Sequence, residues 1–164
     1  MKKTIILFYS FEGNTRKVGE FLSKELNIPY EEIKPIKDLS SKGFSKYFWG
    51  GQQIIMKKKP DLMPLNIKLE EYDTVLVGSP IWAGTFTPAI KTLLEDGILN
   101  YKNVAFFYCH DGGPGNPEVK IKEAINKNNK ILSIYGLSRV KNDFENLKGG
   151  VLNWAKNLEY KDQK

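Results

Sequence analysis

The chain of 164 residues holds one cysteine, Cys109, and one histidine, His110. A lone cysteine excludes an intrachain disulfide, and one thiol with one imidazole falls short of the usual zinc clusters. A reducing compartment is the expected setting. Long apolar runs are missing as well. Nowhere do about 18 apolar residues follow one another, so no membrane-spanning helix is expected. Met1-Lys2-Lys3 followed by Thr4 to Phe8 is too short an apolar run for a secretory leader. No small-residue cleavage site follows it, so a cytoplasmic location is expected. Acidic residues are outnumbered, 19 against 25 basic, for a net charge of +6. The lysines are spread along the chain, and Pro60-Asp61 ends the densest run, Lys57-Lys58-Lys59. That distribution lacks the clustered footprint of a nucleic-acid binder. It suits a solvated basic surface that meets an acidic protein partner.

What is present is enough for an ordinary core: 41% of residues are apolar and 12% aromatic. The length fits a single domain over residues 1–164, with no internal repeat and no low-complexity linker. Three short β-branched or aromatic runs, Lys3 to Tyr9, Asp73 to Ser79 and Asn103 to Cys109, read as strands buried on both faces. Lys130 to Leu137 is a weaker fourth, and Pro29 to Ile33 an edge strand. Helical patterns lie between them. Thr15 to Leu26 puts Val18, Phe21, Leu22 and Leu26 on one face. Thr87 to Glu95 opens on a capping threonine and proline, and Pro117 to Asn126 opens similarly. Asp143 to Leu158 is the last, weakened in its middle by Gly149-Gly150. Alternating strands and helices predict an α/β fold with a parallel sheet covered on both faces. Between Ser40 and Tyr72, Phe44, Tyr47, Phe48, Ile54 and Ile55 suggest a helix broken at Gly50-Gly51. Pro60 and Pro64 then mark a loop.

In such sheets ligands bind beyond the carboxyl ends of the strands. Three loops leave such ends. The first is Ser10-Phe11-Glu12-Gly13-Asn14-Thr15, at the start of a helix, where unpaired N–H groups attract anions. Ser10, Asn14 and Thr15 add short donors, and Gly13 lets the backbone curl. The loop has no lysine, so it is not the nucleoside-triphosphate loop, and its single glycine is not the dinucleotide fingerprint. One turn of hydroxyls suits one terminal monophosphate; the alternative is an ordinary capped turn. The second loop, Ser79-Pro80-Ile81-Trp82-Ala83-Gly84-Thr85, offers Trp82 as a wall for a flat aromatic ligand or as a lid on the core. The third runs Cys109-His110-Asp111-Gly112-Gly113-Pro114-Gly115. Its glycines let main chain approach a ligand. His110 reads as a hydrogen-bonding or solvent-facing side chain rather than a metal ligand. Cys109 reads as a small core residue rather than a nucleophile.

Taken together, Tyr9-Ser10-x-x-Gly13-Asn14-Thr15, Gly78-Ser79-Pro80-x-Trp82-Ala83-Gly84 and the glycine-rich loop at His110 resemble the flavodoxin family, over most of the chain. The resemblance implies a doubly wound, three-layer sandwich: five parallel strands in the order 2-1-3-4-5, with five helices, of the short-chain type. It implies FMN as cofactor. Ser10, Phe11, Glu12, Gly13, Asn14 and Thr15 would hold its phosphate. Pro80, Ile81, Trp82, Ala83, Gly84 and Thr85 would flank the isoalloxazine ring on one side, and Cys109, His110, Asp111, Gly112 and Gly113 on the other. The implied function is electron transfer to redox partner proteins, cycling the flavin between oxidised, semiquinone and hydroquinone forms. A peptide near Ala83-Gly84 would reorient to accept a hydrogen bond from reduced N5. The alternative on the same scaffold is an NAD(P)H-dependent flavin or quinone reductase. Three features depart from the family. Glu12 stands where threonine is common, the charge is basic where many carriers are acidic, and Lys46 to Gln52 carries Trp49 as a candidate cover for the ring, a substrate wall or a core residue.

Overall fold

The computed structural model describes residues 3–37, 59–125 and 127–158. Its centre is a parallel sheet. Strand β1 (Thr4–Phe8) is buried at every position after Thr4, as a strand sandwiched between two layers must be. It pairs with β2 (Tyr30–Glu32) on one side and β3 (Thr74–Trp82) on the other, with Ile6 opposite Tyr30 and Leu76. Strand β5 (Asn103–His110) lies beside β3, and β6 (Lys130–Ser138) beside β5. A two-residue strand, β4 (Thr85–Phe86), folds back antiparallel on the end of β3. The sheet order is β2-β1-β3-β5-β6, with β4 off the path. Without β4 this is the expected five-stranded order, and the reversal of direction falls between β1 and β3.

Alternation along the strands sends successive side chains to opposite layers. Ile5, Leu7, Val75, Val77, Val104 and Phe106 face helices α2 (Pro88–Glu95) and α3 (Pro117–Ala124), meeting Ala89, Ile90, Leu93 and Ile121. Ile6, Phe8, Leu76, Ala105, Phe107 and Cys109 face α1 (Asn14–Leu26) and α4 (Val140–Lys156), meeting Val18, Leu22, Phe144 and Val151. These are the two covered faces of a doubly wound sheet.

The structure departs from expectation at four places. Helix α4 begins at Val140 and runs unbroken through Gly149-Gly150. The second of these glycines lies under the Tyr135 hydroxyl, which a Cβ there would meet at 2.6 Å. Helix α3 stops at Ala124 rather than Asn126. Strand β3 continues past Ser79 to Trp82, because Ile81 and Trp82 find partners in Phe86 and Thr85. Between Pro60 and Tyr72 the chain is not simply loop: Pro35 bridges Leu62, and Leu69–Glu71 forms one 3₁₀ turn. The Lys102 ammonium donates to the carbonyls of Leu69 at 3.0 Å and Tyr72 at 2.6 Å, tying that turn to β5. The expected helix after Ser40 and the Trp49 segment lie outside the described residues.

Candidate functional site

The first loop leaves β1 and turns into α1 at Gly13, which occupies the N-cap position with φ +93° and provides no side-chain cap. That backbone conformation is one glycine adopts at little cost. The Ser10 hydroxyl accepts the N–H of Arg16 at 3.1 Å, drawing the loop around the helix start. Thr15 is 1% exposed, and its Oγ1 has no hydrogen-bond partner of normal geometry. The Cys109 thiol beside it is a weak one at best. Buried hydroxyls are rarely left in this state, because the lost hydration costs about 1–3 kcal/mol.

Neither cation that follows serves this loop. The Arg16 guanidinium grips Glu32 of β2 through contacts of 2.8, 2.9 and 3.2 Å, an arrangement that raises the Arg16 pKa. The Lys17 ammonium sits 4.7 Å from the centre of the Phe144 ring on α4. Glu12 is exposed and Asn14 half-buried. With Arg16 and Lys17 engaged elsewhere, the groups this turn presents are backbone N–H groups and hydroxyls.

The second loop is a hairpin rather than an irregular segment. Ala83 and Gly84 connect β3 to β4, both with positive φ, +48° and +74°. Ahead of them Pro80, Ile81 and Trp82 are half-buried, and Thr85 follows. The indole of Trp82 stands edge-on to Phe11 of the first loop at 5.5 Å, and edge-on to Tyr9 at 6.1 Å. A buried pair fastens the hairpin's base: the Thr87 N–H donates to Ser79 Oγ at 3.1 Å, and the two hydroxyls are 3.3 Å apart.

His110 ends β5 and opens the third loop. Its Nδ1 lies 2.6 Å from the Gly112 carbonyl. A carbonyl only accepts, so Nδ1 carries the proton and the neutral ring keeps Nε2 as acceptor. The His110 ring leans on Tyr108 at 5.9 Å. Asp111, Gly112 and Gly113 are exposed. Cys109 points the other way, into the layer with α1 and α4. Burial pushes its thiol up to about 12, with smaller influences from the Thr15 hydroxyl, which favours the thiolate, and Asp111, which opposes it. A thiol so raised is not a nucleophile at neutral pH.

The fold thus brings the three loops together. Phe11 touches Trp82, Thr15 lies beside Cys109, and a Cβ on Gly84 would lie 3.6 Å from the Pro114 carbonyl oxygen. Gly115 completes that contact, its own Cβ position being 3.5 Å from the Gly84 Cα. Sequence reasoning missed Tyr9 as a neighbour of Trp82, the Ser79–Thr87 pair, and Lys120, whose ammonium would lie 3.9 Å from a Cβ at Gly84. Gly78-Ser79 beside Thr87-Pro88 was the signal for the pair; nothing in the sequence marks Lys120. Among the described residues no cluster of His, Cys, Asp or Glu could hold a metal ion.

No family model matches the chain, and no curated protein matches it. Solved structures do. A flavoprotein from Lactobacillus acidophilus NCFM in complex with FMN is 28% identical, with a TM-score of 0.68, over 89% of this chain and 98% of that one. The apo-form of the flavoprotein from the same organism, solved by NMR, is 26% identical with a TM-score of 0.61, over 83% and 92% of the two chains. Oxidised flavodoxin 2 from Bacillus cereus, 16% identical, shares the fold at a TM-score of 0.60 over 97% and 99%. The likeness that three short motifs carried extends through strand order and layer packing, and the chain has a flavodoxin-like fold.

Proposed function

We propose that this chain binds FMN across its three loops and carries electrons between proteins. The observation that supports this best is the Thr15 hydroxyl, buried and unsatisfied at a helix start that lacks a side-chain cap. A phosphate there would accept from Thr15 Oγ1 and from the N–H groups of the first turn, and an anion gains further from the helix dipole. Ser10 would turn its hydroxyl from the Arg16 N–H toward the same group. The absence of Lys and Arg from the loop limits it to one phosphate rather than a chain of them. Trp82 would bound a planar ring on one side, and the backbone from His110 to Gly113 on the other. The His110–Gly112 contact would hold that backbone in place. Bound FMN would supply the one- and two-electron chemistry that no side chain here can provide.

The reading of residues 1–164 as one domain belongs to the same proposal; a single sheet joins strands from residue 4 to residue 138. So do a cytoplasmic setting, suggested by the lone cysteine, and an acidic redox partner, suggested by the net charge of +6. The test is an anaerobic titration of purified protein with FMN and then with dithionite, followed by absorbance and flavin fluorescence. Stoichiometric binding is expected, with negligible turnover of NADH or NADPH in the presence of a quinone. Rapid turnover would move the assignment to a reductase, and no uptake of FMN would overturn both.

A further inference from the structure

The two edges of the sheet end in opposite ways. At one edge, β2 is three residues long and ends in Glu31 and Glu32. The Arg16 guanidinium grips Glu32, and Glu31 accepts from the backbone and side-chain N–H groups of Asn66 at 2.8 and 3.0 Å. A short strand with engaged carboxylates is a guarded edge. At the other edge, β6 is nine residues long and, among the described residues, pairs only with β5. From Ile131 to Ser138 it carries no charge and no proline. Its register with β5 shifts once, at Leu132, and then runs unbroken from Ser133 to Ser138. A long, uncharged edge presents a row of backbone N–H and C=O groups to any strand that approaches.

Helix α4 holds this edge in place. The Trp154 indole N–H donates to the Ser133 hydroxyl at 3.0 Å, and the indole lies 5.5 Å from the Tyr135 ring. A strand fixed in this way loses little freedom on receiving another. Charge narrows the choice of occupant. Between Lys127 and Asn142 the chain carries Lys127, Lys130, Arg139 and Lys141 and no carboxylate. Two cations therefore flank each end of the uncharged run, and Asp143 on α4 meets Arg139 at 3.7 Å. A second copy of this chain fits poorly. Antiparallel pairing centred on Ile134 would set Lys130 opposite Ser138 and beside Arg139, and parallel pairing would stack like on like. Like charges brought together across strands are destabilising, and each copy bears a net charge of +6.

We infer that the outer edge of β6 receives an extended segment of another protein as an added strand, apolar or neutral in its middle and acidic at both ends. Main-chain hydrogen bonds would hold the segment, and the flanking cations would select it. Because both ends of β6 are basic, the same complement serves either strand direction. The inference is independent of the FMN reading, since none of the three loops takes part.

The experiment uses the full chain, isotope-labelled for NMR, and a synthetic peptide of alternating valine and threonine between paired glutamates. The peptide is expected to shift the amide signals of β6 and to slow hydrogen exchange between Ser133 and Ser138, leaving β2 unchanged. A peptide ending in lysines should bind roughly tenfold more weakly at low salt, the gap narrowing as salt rises. Methylating every peptide nitrogen should abolish binding; methylating alternate ones leaves one edge intact and should preserve it. Lys127→Glu combined with Lys141→Glu, two exposed positions, should erase the preference between the peptides without altering the thermal melt. Failure of the peptide to bind, binding that ignores methylation, or shifts confined to residues outside β6 each overturn the inference. So does a chain that sediments as a dimer with β6 already protected, which would give the edge to a second copy.

Discussion

The backbone N–H of Thr87 donates to the Ser79 hydroxyl across 3.1 Å, and neither residue is exposed to solvent. The bond joins the middle of β3 to the start of α2 and closes the base of the hairpin that carries Trp82. Thr87 sits at the N-cap of α2 yet makes no capping bond with its own side chain. Its hydroxyl turns back to Ser79 instead.

Ser79→Ala should therefore leave the Thr87 N–H buried and unpaired. The expected loss is about 1–3 kcal/mol. Urea denaturation checks it: the midpoint falls while the slope is unchanged, since the surface exposed on unfolding is the same. An unshifted midpoint would mean that water or a rearranged Thr87 replaces the bond.

Thr15→Val should separate stability from binding. Valine has the shape of threonine and removes a hydroxyl that the free protein leaves unsatisfied. Stability without ligand should be unchanged or slightly higher. FMN affinity should fall by roughly tenfold to a hundredfold, the worth of one charge-assisted bond of about 1.5–3 kcal/mol. Calorimetric titration with FMN, beside thermal melts of the free protein, measures both. Equal affinity would locate the phosphate elsewhere.

Trp82→Ala removes an indole that is only half-buried and meets Tyr9 and Phe11 edge-on. Contacts of this kind are worth about 0.5–1.5 kcal/mol each, so the fold should survive. The flavin midpoint potentials should shift more than stability does, which spectroelectrochemistry would record. Potentials equal to those of the wild type would make Trp82 a structural residue.

Cys109 makes stability depend on alkaline pH. Burial raises its pKa from the ordinary value of 9.0 to about 12 in the folded protein. The folded state keeps the proton that the unfolded state loses. Stability is full below the unfolded pKa and falls as pH rises toward the folded one, by at most about 1.4 kcal/mol per pH unit. Cys109→Ala should flatten this part of the profile above about pH 9, measured by urea denaturation across the range. In the folded protein, alkylation of the thiol near neutral pH should be slow and should follow unfolding.

Much of this architecture is written locally. The apolar runs from Lys3 to Tyr9, Asp73 to Ser79 and Asn103 to Cys109 are long enough and β-branched or aromatic enough to be strands buried on both faces, and each holds such a strand. The capping residues before Pro88 and Pro117 mark two helix starts correctly. Gly149-Gly150 misled, because the cost of glycine in a helix is a local quantity, whereas the Tyr135 hydroxyl that lies over Gly150 comes from β6. The hairpin after Ser79 was hidden for a related reason. Strand character at Ile81 and Trp82 depends on pairing with Thr85 and Phe86, and a positive φ at Ala83 is not a preference that alanine announces.

The sequence by itself determined the strand–helix alternation, the two covered faces and the three loops that would carry a ligand, because periodicity and turn chemistry act over neighbouring residues. Only the tertiary structure decided that these loops meet: Phe11 on Trp82, Thr15 beside Cys109, Gly84 against Pro114 and Gly115. It also decided that Arg16 and Lys17 turn away, toward Glu32 and Phe144, and that the Thr15 hydroxyl is left waiting for a partner. Burial and the absence of a hydrogen bond are relations between distant parts of the chain, and no local pattern of residues records them.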